Sequence, residues 1–196
     1  HPGIDLESHI ADVCALLHYE DLTQVYLAGH SYGGMVVTGV ADRALERISN
    51  LIFLDAAQQR DGEALVTLSP ALIQMAHAQA RTGDGGELVL FPDSDAVAIY
   101  GVNDPADAAG MAPRLTPHPW ACFTQPLTMT RQDQVLALPR TSVNCTHTLS
   151  VRSQQYLDRA LSARHLFEID TGHDLMITEP EQIAAMLLEV VRREEV

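Results

Sequence analysis

Ser31 stands at the centre of Gly29-His30-Ser31-Tyr32-Gly33, and Gly34 follows. A serine hydroxyl becomes a useful nucleophile when an imidazole takes its proton and a carboxylate orients that imidazole. The G-x-S-x-G spacing carries meaning when a strand precedes it and a helix follows. The serine is then held on a strained turn at the top of a sheet, and the glycines two positions either side let the chain pass closely. The backbone N–H of Tyr32, at the start of the helix, points where an oxyanion would form. Taken alone, five residues also fit a glycine-rich turn whose serine only caps a helix. A phosphate-binding loop of this kind would need a lysine, and the chain has none.

The base has nine histidines to come from. Only His173 directly follows the last strand-like run, in Asp170-Thr171-Gly172-His173-Asp174, where a loop can bring an imidazole over the serine. His147, at the end of the run before it, is the competitor. His18, His77 and His165 read as packing or surface residues, and His9 and His118 as parts of a helix and of an insertion. His30 is expected to line the floor of the pocket. The carboxylate would ordinarily come after the third strand, yet residues 141–157 contain no Asp or Glu. Asp55 is the candidate instead. It ends the strand after the nucleophile, so it and Ser31 should top adjacent parallel strands about 4.8 Å apart. A turn or cap role is the lesser alternative for Asp55, and Asp61 and Asp174 are weaker alternatives for the acid.

These residues need elements to hold them. Apolar positions at Ile10, Val13, Leu16 and Leu17 give a helix over about residues 4–18, with Asp5 as its N-cap. Residues 24–28 (QVYLA) and 51–54 are short apolar strands, with a helix over about residues 33–46 between them. Alternation returns at 141–145, followed by a helix near 153–162, a strand at 165–169 (HLFEI) and a closing amphipathic helix over 180–193. Strands and helices in that order predict an α/β fold with a parallel sheet flanked by helices, whose chemistry collects at the carboxyl ends of the strands. Residues 1–56 form the first part of the core and 136–196 its last part. Residues 57–135, broken by Gly, Pro and acidic turns, read as an irregular, mostly helical cap insertion without a sheet of its own.

Composition narrows the partners. Twelve basic and 26 acidic side chains give a net charge of −14, which opposes phosphate backbones and anionic lipid, so neither nucleic acid nor a membrane is expected as partner. No apolar run reaches the ~20 residues that span a bilayer. Three scattered cysteines (Cys14, Cys122, Cys145) resemble neither a disulfide framework nor a metal site, and a reducing, cytoplasmic setting is the expectation. The chemistry calls for no metal and no organic cofactor.

The elbow through Gly34, the LIFLDA stretch ending at Ala56 and the Gly172-His173-Asp174 turn together resemble an α/β-hydrolase. Leu115-Thr116-Pro117-His118-Pro119, ahead of Phe123-Thr124-Gln125-Pro126-Leu127, resembles the cap of the bacterial relatives of plant methylester hydrolases and hydroxynitrile lyases. The resemblance implies Ser31 as nucleophile and His173 as base. It usually places the acid where this chain has His147-Thr148, whereas other α/β-hydrolases carry theirs after the strand next to the nucleophile, as Asp55 does. It also implies strands before the elbow that are missing here, one of whose loops gives the second oxyanion N–H. An N-terminal segment or a second chain is therefore expected to complete the sheet.

The resulting expectation is a carboxylesterase acting on small-molecule esters through an acyl-enzyme. Trp120, Phe123 and Met111 would cover the site and favour an apolar acyl or aromatic group, unless they are simply the packing of the cap. A non-catalytic small-molecule-binding relative is the alternative. A hydroxynitrile lyase is disfavoured, because relatives of that kind resemble this scaffold but carry a lysine just after the histidine, where this chain has Asp174.

Overall fold

Four parallel strands carry the core in the computed structural model, which describes residues 3–68, 70–83, 86–90 and 96–194. Helix α1 (Leu6–Tyr19) starts at Asp5, whose carboxylate accepts from the Ser8 N–H at 2.9 Å while the Ser8 hydroxyl accepts from the Asp5 N–H. Strand β1 (Val25–His30), helix α2 (Gly33–Arg43) and strand β2 (Ile48–Leu54) follow. Helix α2 stops three residues before the expected end, and a separate tight turn over Leu45–Arg47 leads into β2.

Between β2 and the next core strand lie α3 (Leu65–Leu68), α4 (Pro70–His77), β3 (Arg81–Gly83), β4 (Gly86–Val89), α5 (Ala96–Ile99), α6 (Pro105–Met111), β5 (His118–Pro119), α7 (Ala121–Thr124) and α8 (Gln132–Ala137). The chain closes with β6 (Arg140–Cys145), α9 (Gln154–Leu161), β7 (His165–Ile169), α10 (Leu175–Thr178) and α11 (Pro180–Glu194).

The sheet order is β1-β2-β6-β7, with every pair parallel. Strand β2 is covered on both faces, which explains its unbroken apolar run. Leu51 and Phe53 face α1 and α2, in the cluster of Leu6, Ile10, Met35 and Val40. Ile52 and Leu54 face the other way, with Val143, Ile169, Ile183 and Val190. Helices therefore pack on both sides of the sheet, as the alternation of strands and helices predicts. Strand β1 pairs only with β2 among the described residues. No helix among them is long and apolar enough to cross a membrane.

The insertion differs from the sequence expectation in one respect. It carries a small antiparallel sheet, β3-β4-β5, beside its helices. Strands of two to four residues are too short for alternation to register, so residues 57–135 read as irregular. The two ends of the insertion are tied together at its base. Asp61 accepts from the Met129 N–H at 2.7 Å, and the Glu63 carbonyl accepts from Leu127 N–H at 2.9 Å. Arg159 on α9 grips the Glu63 carboxylate with both terminal nitrogens, at 2.6 and 2.7 Å. Asp42, on α2 and 4% exposed, accepts from the Thr130 N–H at 3.0 Å and the Arg131 N–H at 2.7 Å.

That buried carboxylate satisfies two backbone donors that the chain would otherwise leave unpaired. Asp42→Ala should therefore cost about 2 kcal/mol of stability in urea unfolding. A loss below about 0.5 kcal/mol, the range of neutral surface substitutions, would remove Asp42 as the anchor.

Candidate active site

The register of β1 on β2 pairs His30 with Leu54, so Ser31 and Asp55 leave adjacent strands side by side. Both then turn into left-handed backbone, Ser31 at φ 53° and Asp55 at φ 44°. Such angles cost energy in a residue with a side chain, so the surrounding structure must hold them. The surroundings here are specific. Ser31 N–H donates to Leu54 O at 3.3 Å, Ala57 N–H donates to Ser31 O at 3.0 Å, and Asp55 N–H donates to Val143 O at 2.8 Å.

Two glycines make the turn sterically feasible, and only one of them is in the expected pair. A Cβ on Gly29 would meet Gly33 O at 2.5 Å, whereas a Cβ on Gly33 would meet nothing within 4 Å. The second tight position is Gly34, where a Cβ would stand 2.0 Å from Ala57 O. Helix α2 thus packs its first turn directly on the chain leaving Asp55.

His173 lies in the loop between β7 and α10 and spans the two residues. Its Nε2 is 2.8 Å from Ser31 Oγ and its Nδ1 is 2.6 Å from Asp55 Oδ2. An ionised carboxylate can only accept, so Nδ1 carries the proton and Nε2 turns its lone pair to the serine hydroxyl. The loop is held at several points. His30 Nε2 donates to the His173 carbonyl at 2.9 Å, and Asp174 N–H donates to Tyr100 O at 3.1 Å. Gly172 lies against Gly101 of the insertion so closely that a Cβ on either would meet the other's Cα at 2.6 Å. The Tyr100 ring lies nearly parallel to the His173 ring at 6.4 Å.

Asp55 is fully buried and richly donated to. Besides His173 it accepts from the Thr148 hydroxyl at 2.9 and 3.1 Å, from Cys145 N–H at 3.4 Å, and from Arg152 Nη2 at 2.5 Å. Burial pushes its carboxyl upward, but the His173 hydrogen bond, the Arg152 charge and the Thr148 hydroxyl together hold it below the usual carboxylate range. The position after β6 that usually bears the acid in the resembling family is occupied by Thr148, which serves here as a donor to the carboxylate from β2.

The other sequence candidates sort themselves by place. His147 is largely exposed and pairs with Asp170 at 3.2 Å, away from Ser31. Asp61 serves the insertion's base, and Asp174 faces His30 at 3.6 Å. His30 supports the loop of His173, with the two rings 4.5 Å apart. Burial, with the neighbouring His173, drives its pKa down to about 4. Phe123 is buried 5.6 Å from the Tyr32 ring, and Trp120 stands one step further out against His77. Met111 packs with Val97, Val102 and Tyr100, the ring that faces His173. The Tyr32 N–H donates to no protein acceptor among the described residues.

Four residues near Ser31 were given no part in the site by the sequence: His9, His118, Arg152 and Thr148. His9 Nδ1 lies 3.0 Å from the Tyr32 hydroxyl, and the His118 ring lies 5.1 Å from the Tyr32 ring. Burial, with His9 nearby, drives His118 down to about 4. Arg152 and Thr148 are the other two; their only sequence signal is a polar stretch that lacks an acid. His30, His173 and Asp174 offer ligand atoms within 4.8 Å of one another. Both His173 nitrogens are already committed, however, and His30 spends Nε2 on a carbonyl.

A model of the alpha/beta hydrolase family matches residues 1–186. A carbendazim hydrolyzing esterase from a Nocardioides species is 49% identical over 68 residues, which are 35% of this chain and 28% of that protein. An extracellular alpha/beta-hydrolase from a Paenibacillus species, described as sharing structural and functional homology with tobacco salicylic acid binding protein 2, superposes with a TM-score of 0.79 at 20% identity. That superposition covers 95% of this chain and 79% of the other. A methylesterase from Arabidopsis gives 0.74 at 21% identity, over 96% and 78% of the two chains. At such identities the structural likeness establishes the fold.

Two outcomes follow from the site's construction. Gly34→Ala should abolish the soluble folded protein or shift its thermal midpoint by several degrees, while Gly33→Ala should stay within about 1 kcal/mol of the parent; equal effects would refute the elbow packing. His30 and His118 are neutral in the fold but free to protonate near pH 6.5 when unfolded. Their contribution to stability is therefore complete above pH 6.5 and is lost as pH falls toward their folded value of about 4. The decline in melting temperature between pH 6.5 and 4 should be shallower in His30→Gln than in the parent, and an identical slope would contradict this.

Proposed function

The chain belongs to the alpha/beta hydrolase family, and from that premise we propose that it is a serine hydrolase cleaving small carboxylic esters through an acyl-enzyme. The observation that carries this reading is the unbroken hydrogen-bonded line from Ser31 Oγ through His173 to the buried Asp55 carboxylate, at 2.8 and 2.6 Å. Ser31 attacks the ester carbonyl while His173 Nε2 accepts its proton. Asp55 stabilises the imidazolium and keeps the ring in the tautomer that leaves Nε2 free. The Tyr32 N–H, at the N-terminus of α2, donates to the tetrahedral oxyanion, and one such donor is worth about 3 kcal/mol. His173 then returns the proton to the leaving alcohol. Water, activated by the same imidazole, releases the acid and restores Ser31.

Phe123 and His118 at Tyr32, and Tyr100 backed by Met111 at His173, supply apolar and aromatic surface on either side of the pair. Such walls suit an apolar acyl or aromatic group, with Trp120 further out and His30 beneath the histidine loop. The esterase and methylesterase names carried by the relatives agree with ester cleavage. No step in this mechanism calls for a metal ion or an organic cofactor.

A fluorophosphonate probe should label Ser31 covalently, as read by peptide mass spectrometry, and Ser31→Ala should lose turnover of short p-nitrophenyl esters by more than about 10³-fold. Asp55→Asn should lower kcat about 10³- to 10⁴-fold, whereas Asp174→Asn should change it less than about tenfold. Undiminished turnover in Ser31→Ala would remove the serine from the mechanism. Full activity in Asp55→Asn would remove the acid.

A further inference from the structure

Triad carboxylates need a proton donor on the histidine; they do not need a guanidinium on the same oxygen. Arg152 stands there nonetheless. It follows the short helical turn Leu149–Val151 and is only 10% exposed. Its Nη2 lies 2.5 Å from Asp55 Oδ2, 3.2 Å from the Asp55 carbonyl and 3.3 Å from His173 Nδ1. The last distance joins two donors, so it is a close approach of charge and not a hydrogen bond. The guanidinium lies over the Tyr156 ring, with Cζ 4.6 Å from the centroid. The side chain is therefore fixed from below by an aromatic face and from above by the carboxylate.

We propose that Arg152 is a positioning residue whose charge, held on Asp55 beside His173, keeps the imidazole in its base form toward acid pH. This inference rests on the serine-hydrolase reading of the site. Its physical basis is the balance of charge around one ring. A buried carboxylate alone favours the imidazolium strongly, which retains the proton and removes the base. A permanent positive charge on that carboxylate offsets part of this pull, because arginine does not deprotonate in a protein. It also gives the fully buried Asp55 a counter-charge whenever His173 is neutral, when the carboxylate would otherwise be an uncompensated buried ion. Thr148 adds a neutral donor to both carboxylate oxygens without adding charge.

Among the described residues, Arg152 is the one permanent positive charge in contact with the pair. Asp55 is faced by His173, Arg152, Thr148, Cys145 and Tyr156; His173 is faced by Ser31, Asp55, Arg152, His30, Asp174 and Tyr100. Burial keeps His30 neutral above about pH 4 and pushes the Cys145 thiol up to about 12. Burial likewise raises the Tyr100 and Tyr156 phenols. Asp174 is the remaining titratable neighbour, and burial raises its carboxyl too.

The test is the pH dependence of kcat/KM for a short p-nitrophenyl ester in the parent, Arg152→Gln, Arg152→Met and Arg152→Lys. The acidic inflection should rise by about one pH unit in the Gln and Met variants and stay near the parent value in Lys. Arg152→Met puts an unbranched apolar side chain at this largely buried position, so it carries the same expectation should Arg152→Gln fail to fold. An inflection that stays in place while activity falls equally at every pH would reduce Arg152 to a structural support and overturn the proposal. Fluorophosphonate labelling of Ser31 in the parent separates the two levels. If the parent is not labelled, the serine-hydrolase reading fails; if it is labelled and the inflection does not move, only the role of Arg152 fails.

Discussion

One imidazole holds this site together. His173 joins a hydroxyl that tops β1 to a carboxylate that tops β2, and it arrives from a loop more than a hundred residues further along the chain. The hydrogen bond to Asp55 dictates which nitrogen keeps the proton, and so whether the other can act on Ser31. Everything about Asp55 serves that bond. It is fully buried, carries a left-handed backbone, and is surrounded by donors that prevent it from taking up a proton. The cost of burying a charge is met locally, by Arg152, Thr148 and the Cys145 N–H, so the carboxylate can be rigid and ionised at once.

The insertion takes part in this arrangement as well. Gly101 receives Gly172 backbone to backbone, and the Tyr100 carbonyl accepts the Asp174 N–H, so residues of the insertion help to hold the histidine loop. On the other side His118 and Phe123 pack on Tyr32, the residue that follows Ser31. Because Asp42, Asp61 and Glu63 clamp the insertion's base, cap and core share one geometry.

Much of this was legible in the residues, for physical reasons that also explain the misses. The elbow is a local feature: strand, tight turn and helix lie within a few residues of Ser31, so spacing suffices to read it. Asp55 emerged from an absence, the lack of any acid between residues 141 and 157, combined with the rule that adjacent parallel strands present their ends together. Arg152 and Thr148 were not legible, since a polar residue in a loop reveals its partner only in three dimensions. His30 illustrates the same limit. Its place inside the elbow suggested a pocket floor, while its ring nitrogen in fact supports the His173 carbonyl. Gly34 displaced Gly33 as the tight position because the constraint comes from Ala57, a residue beyond the next strand. The small sheet of the insertion escaped because its strands are shorter than the pattern that reveals strands.

The central claim, that Asp55 fixes the His173 tautomer, is most directly tested by proton NMR of the His173 Nδ1–H, assigned with ¹⁵N-labelled histidine. A proton bonded to a buried carboxylate at 2.6 Å is deshielded and protected from exchange. A far-downfield resonance is expected in the parent, persisting in Asp174→Asn and disappearing in Asp55→Asn. A resonance that survives Asp55→Asn, or one absent from the parent at every pH, would contradict the claim.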